Sequence, residues 1–176
     1  MSTSTFSKAM ASAFQIIYAP HRVAATGKKS VFLSGNANKS AAVDWRIALS
    51  ESLSPLPITI YNPFRSDWTS DWKENLSDPR FKEQVEWELD MMEKSDVIVI
   101  CLHHGTDAPI SLLELGLCAR SGKAIIMAEE GTKGFSKLGN VQAVAKTFGL
   151  TLVHSIDELR AAIVSRLAAE GVEEKA

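Results

Sequence analysis

The chain has 176 residues, 45% hydrophobic and 23% charged, which is a length and an apolar content for one domain with a sizeable core. A formal net charge of −2 offers no basic field to a nucleic acid polymer. No apolar run approaches the ~20 residues of a membrane span, and Cys101 and Cys118, apart and in apolar segments, read as reduced thiols of a cytoplasmic protein.

No acid precedes Asp44, while Lys8, Arg22, Lys28 and Lys29 do. Residues 1–28 therefore read as an N-terminal tail, partly flexible, with an organelle-targeting segment as the alternative. Five β-rich runs follow: 30–35 (SVFLSG), 58–63 (ITIYNP), 96–102 (DVIVICL), 123–129 (KAIIMAE) and 150–155 (LTLVHS). They are nearly continuous in apolar residues, as strands buried on both faces are. Helical stretches separate them. Residues 41–53 follow the first strand. Residues 81–95 place Val85, Leu89 and Met92 on one face, with Trp87, Met91 and Met92 as core or subunit contacts. Pro109 suits the first turn of a helix that Gly122 can end. Residues 140–149 and 155–171 supply two more, the last with a Ser155/Glu158 capping pattern.

This alternation specifies an α/β fold of the flavodoxin/Rossmann-like, doubly wound class: a mainly parallel five-stranded sheet with helices on both faces. The domain spans 29–169, and 170–176 reads as a C-terminal tail. Ligands of such sheets bind beyond the carboxyl ends of the strands, here SGNAN, NPFRSDW and HHGTDAP. The irregular stretch 62–80, with Phe64, Arg65, Trp68 and Trp72, reads as a pocket-forming loop.

The segment 109–123 (PISLLELGLCARSGK) poses the sharpest question, because its one acid, Glu114, sits among apolar residues. An unpaired buried carboxylate costs several kcal/mol, so it neutralises, finds partners or faces a polar cavity. Glu114 either points outward, capping a backbone group or pairing with Arg120, or faces a ligand cleft. Other signals are weaker. His103 and His104 are adjacent, so strand geometry sends them to opposite faces, and no complementary ligand set accompanies them; no metal and no cofactor are expected. The glycine-rich run 131–140 lacks a P-loop ending and reads as a flap. No Ser-His-Asp constellation is visible.

Taken together, KSVFLSGN, DWR, ITIYNPFRSDW, FKEQVEWELDMMEKSDVIVICL, GTDAPISLLELGLCARSGKAIIM and GNVQAVAKTFG resemble the nucleoside 2-deoxyribosyltransferase-like family, in the same order from about residue 29 to 150. The resemblance implies an N-glycosidic-bond enzyme and a homo-oligomer. It makes Glu114 the nucleophile, and it places an acid at Glu88, where typical members carry aspartate. The acid in the loop before the nucleophile helix falls nearest Asp107, one residue further from Glu114 than is typical. Ser34, Gly35 and Asn36 occupy the glycine-containing turn after the first strand, and Ser111 lies in the nucleophile motif. Phe32 stands where typical members carry a tyrosine. Asn140 corresponds to an asparagine that a neighbouring subunit offers across an interface, on the flap.

The chemistry explains these residue types. Glycosidic cleavage develops positive charge on the sugar, which a carboxylate stabilises and captures at C1′. A second acid, Asp107 or Glu88, protonates the departing base. Trp68 can stack on the base, Asn62, Arg65 and Asp67 can read its edge, and Arg65 can instead meet a 5′-phosphate; Trp68 and Trp72 as mere loop anchors are the alternative. The expected partners are a nucleoside or nucleotide and a free nucleobase. The expected activity is transfer of a 2-deoxyribosyl group between nucleobases through a covalent glutamyl intermediate. Hydrolysis of nucleosides or nucleoside monophosphates by the same residues, and a catalytically silent nucleotide-binding module, are the alternatives.

Overall fold

The computed structural model describes residues 13–35, 44–131 and 134–173. Among them, six strands form one sheet: β1 (Gln15–Tyr18), β2 (Lys29–Gly35), β3 (Ile58–Asn62), β4 (Val97–Leu102), β5 (Ala124–Ala128) and β6 (Thr151–Val153). All neighbours are parallel, in the order β1-β3-β2-β4-β5-β6. Five α-helices connect them: α1 (Trp45–Ser52), α2 (Pro79–Lys94), α3 (Pro109–Cys118), α4 (Leu138–Phe148) and α5 (Ile156–Ala169). The doubly wound class is the one expected, with six strands instead of five.

The additional strand corrects the reading of residues 1–28 as a tail. Only four residues long, QIIY gives too short an apolar run to stand out beside polar flanks. Its place is fixed by Gln15, whose side-chain oxygen accepts from the Thr26 backbone and hydroxyl and from the Thr59 hydroxyl, while its amide donates to the Ala24 carbonyl. Residues 1–12 of that segment lie outside the described residues. At the other end, Val172 is buried against the core, so the chain is packed beyond the expected domain limit; residues 174–176 lie outside the described residues. Among the described residues, no helix is long and apolar enough to cross a membrane.

Strand alternation sorts the core into two layers. Phe32, Ile98, Ile100, Leu102, Ile126 and Ala128 face α2, α3 and α4 through Trp87, Met91, Leu115, Cys118, Val141 and Ala145. Val31, Leu33, Val97, Val99, Cys101 and Ile125 face α1 and α5 through Trp45, Leu49, Leu53, Leu159, Ile163 and Leu167. Caps set the helix starts. Asp44, Asp78 and Ser155 accept from backbone N–H groups of the first turns of α1, α2 and α5, and Pro109 opens α3. On α2 the inward residues are Gln84, Trp87, Met91 and Met92; Leu89 is exposed, which shifts the expected Val85–Leu89–Met92 stripe by about one position.

The chain leaves β2 toward β3 on one side and reaches β4 on the other, so the order reverses at β2, and a crevice opens above its carboxyl end. Gly35 ends that strand with φ +154°, and a Cβ there would lie 2.5 Å from the Cys101 carbonyl oxygen and 2.8 Å from the Trp45 ring. Gly35→Ala is expected to lower unfolding free energy by about 2–4 kcal/mol through backbone strain and overpacking, read as a drop in the denaturant midpoint.

Candidate active site

Ser34 lies two residues beyond Phe32 and so points to the same face, toward α2 and α3. Along α3 the inward positions are Ser111, Glu114, Leu115 and Cys118, while Ile110, Leu113 and Leu117 are 61%, 61% and 58% exposed. The acid is buried beside Leu115, while Leu113 and Leu117 face out. Along α2, Gln84 and Glu88 stand one turn apart on the side facing this crevice. The result is a cavity of about 650 Å³ at the switch point, lined among others by Ser34, Arg46, Gln84, Glu88, Ser111 and Glu114. That volume lies within the ~300–1,000 Å³ typical of small-molecule sites.

The outward reading of Glu114 is therefore not the one adopted, and Arg120 lies over the Phe148 ring instead. The Ser34 hydroxyl donates to Glu114 Oε2. Burial raises the Glu114 carboxyl above its ordinary range, while the Ser34 hydrogen bond and the Arg46 charge pull it back. Burial raises Glu88 much further, to about 7; the hydrogen bond from Gln84 opposes this, the Glu114 charge adds to it, and Arg46 opposes it. Two acids in one cavity are thus pushed apart, which leaves one protonated near neutrality and the other more readily ionised.

Gln84 sets the first of these. Its side-chain nitrogen donates to Glu88 Oε1 at 2.8 Å and to the Pro63 carbonyl at 2.9 Å, tying α2 to the end of β3. Gln84→Leu is expected to raise Glu88 above about 7, because the donor that favours its ionised form is gone. A carboxyl-carbon NMR titration reads the shift; a midpoint that falls would contradict the assignment.

The loop after β3 is packed rather than open. Trp72 is buried, with the Arg65 and Arg80 guanidinium groups 4.7 and 5.0 Å from its ring, and Trp68 stacks on it at 4.6 Å. Arg65 pairs with Asp67 and Glu83. Trp68 anchors the loop through this stacking and, 42% exposed, also lines the cavity.

His103 and His104 do not diverge, because β4 ends at Leu102 and strand alternation stops there. Both rings meet Glu129, His103 Nδ1 at 2.8 Å, and the His104 backbone N–H donates to it at 2.7 Å. Burial alone would raise Glu129, but these contacts outweigh it and hold the carboxyl far below its usual range. Cys101 Sγ lies 3.3 Å from His103 Nε2, completing a Cys-His-Glu row. The thiol is wholly buried and burial pushes it well above its ordinary value, so the row is structural rather than nucleophilic. Among the described residues, no group of three or more His, Cys, Asp or Glu side chains is placed so that it could hold a metal ion.

A family profile described as "Nucleoside 2-deoxyribosyltransferase like" matches residues 28–132, more than half of the chain and all of Ser34, Glu88 and Glu114. The chain belongs to the nucleoside 2-deoxyribosyltransferase-like family. None of the curated proteins compared with it matches. Among solved structures, a conserved protein from Enterococcus faecalis V583 superposes with a TM-score of 0.53 at 14% identity, over 78% of this chain and 98% of that one, a likeness of fold alone.

Of the residues singled out from sequence, Glu114, Glu88, Ser34, Gly35, Ser111, Arg65 and Trp68 come together around one cavity. Phe32 does not reach it: fully buried, it packs on Trp87 at a 6.4 Å ring separation. Asp107 is exposed, outside the lining, and accepts from the Ser136 hydroxyl at 3.2 Å. Asn62 and Asp67 line an adjoining cavity instead, and the Asn62 side chain accepts from the Phe64 N–H. Asn140 lies exposed in the first turn of α4, away from this cavity and beyond the matched region. Asn36 lies outside the described residues, as do Thr132 and Lys133 of the expected flap. Arg46 and Gln84 were not singled out from sequence. Arg46 was legible only as part of DWR, and Gln84 only through its four-residue spacing from Glu88.

Proposed function

We propose that this protein transfers a 2-deoxyribosyl group between nucleobases. The observation that carries the reading is the convergence of Glu114, held by Ser34, and Glu88, raised to about 7, on one cavity at the sheet's switch point. Ionised Glu114 attacks C1′ as the C1′–N bond breaks. The bonding pair leaves with the base, and protonated Glu88 supplies the proton that neutralises it. An incoming base nitrogen then displaces the carboxylate from C1′ and gives its proton back to Glu88. Two displacements retain configuration.

Family membership and the site geometry support this assignment of Glu114 and Glu88; Asp107, outside the cavity, takes no part in it. Trp68 and Phe64 at the cavity rim offer faces for the base. A second copy of the chain covers the exposed Ile110, Leu113 and Leu117 stripe on α3, and Asn140 of one copy reaches the cavity of another.

Chromatography of reactions with each 2′-deoxynucleoside, with and without a second free base, tests the proposal. A new deoxynucleoside formed only with the acceptor supports transfer. Free base released regardless of acceptor selects hydrolysis. Binding without turnover selects a silent module.

A further inference from the structure

Beside the Glu114 cavity lies a second one of about 580 Å³, over the ends of β1 and β3, which glycosidic chemistry does not require. Tyr18, Pro20, His21 and Ile47 line it, and it shares Asp44, Arg46 and Phe64 with the first, so the two adjoin across the Arg46 side chain. Each volume is of a size for one nucleoside-like group.

The junction is built for an anion. Arg46 is nine-tenths buried and carries five N–H donors. Nη1 donates to Asp44 at 3.1 Å and Nη2 to the Gly35 carbonyl, while Nε has no hydrogen-bond partner among the described residues. Leaving that donor unused is unfavourable, and an acceptor placed between the cavities would satisfy it. The Asp44 carboxylate offsets part of the guanidinium charge. That disfavours a terminal phosphate monoester, with its charge of about −1.5 to −2, and suits a phosphate with one charge and two ester links. Beyond the junction, Tyr18, 41% exposed, lines the cavity with Pro20 and His21 and offers an aromatic surface to a planar group.

We propose that the two cavities together take one elongated substrate: a nucleoside whose 5′ side is joined through a singly charged phosphodiester to a second planar group, with the linker at Arg46. This rests on the reading of Glu114 given above and deepens it. The bond that breaks is still C1′–N at Glu114, the base leaves with the proton from Glu88, and the linked group stays on the sugar.

The test compares base release, with a second free base present as acceptor, from 2′-deoxyadenosine, its 5′-monophosphate and the 5′,5′-phosphodiester of two 2′-deoxyadenosines by the wild type and by Ile47→Trp. Ile47 lines only the second cavity and is 49% exposed, so the larger side chain fills that space without entering the core. The expected result is a kcat/KM at least tenfold higher for the phosphodiester than for the nucleoside. In Ile47→Trp this advantage falls to within about twofold while nucleoside turnover stays unchanged. Equal turnover of all three, a preference for the monophosphate, or an advantage that survives Ile47→Trp would overturn the proposal. If no compound releases base, the reading of Glu114 fails, and calorimetry decides the second cavity alone: phosphodiester binding lost in Ile47→Trp supports it, and binding that is unchanged in Ile47→Trp or undetectable in the wild type overturns it.

Discussion

Glu114→Gln is expected to lower base release by about 10³-fold or more, because the amide cannot form the ester on which the two displacements depend. The substitution is nearly isosteric, and the amide oxygen still accepts from the Ser34 hydroxyl. Burial disfavours the charged carboxylate at this position, so a neutral amide is tolerated at least as well. Thermal unfolding of the variant should therefore match or exceed that of the wild type. Activity lost together with the fold would indicate instead that Glu114 holds α3 against β2.

Glu88→Gln is expected to remove the proton donor, with a loss of about 10²–10⁴-fold at neutral pH, and at the same time to stabilise the protein at alkaline pH. Below pH about 4.5 the carboxyl is protonated in the folded and the unfolded chain alike, and burial carries no penalty. As pH rises from 4.5 to about 7, the unfolded chain releases the proton while the folded chain keeps it, so stability falls with pH. Above about 7 both are ionised and the whole penalty stands, on the order of 3 kcal/mol. The glutamine variant lacks it. Its advantage in unfolding free energy should grow from near zero at pH 4.5 to about 3 kcal/mol at pH 8, measured by denaturant titration. In the wild type, base release should decline above pH about 7 as the donor deprotonates. A stability difference that shrinks with pH would refute the burial of this acid.

Much of this architecture was legible because buried parallel strands announce themselves. β3, β4 and β5 are buried along their whole length, and their apolar runs are bounded by turn residues. β1 escaped because its neighbour supplies most of its definition: Gln15 is fixed by Thr26 and Thr59, contacts that no local pattern encodes. The site divided in the same way. Glu114 stood out as an acid in an apolar helix, yet it is Glu114 that is buried there, while Ile110, Leu113 and Leu117 face outward. Its true neighbours, Ser34, Glu88 and Arg46, come from three other elements. Phe32 and Asp107 show the limit of positional correspondence, since a strand residue's parity and a loop's path decide whether a side chain enters a cavity. The histidine pair misled for a simpler reason: both residues lie past the end of β4, where strand alternation no longer holds.

Covalent capture tests the central claim most directly. A 2′-deoxy-2′-fluoro nucleoside slows departure of the sugar from the enzyme by destabilising the positively charged transition state. Intact mass and peptide mapping after incubation should show one fluoropentosyl adduct, confined to the peptide containing Glu114 and absent from Glu114→Gln. An adduct on any other residue, or base release that persists undiminished in Glu114→Gln, would contradict Glu114 as the nucleophile.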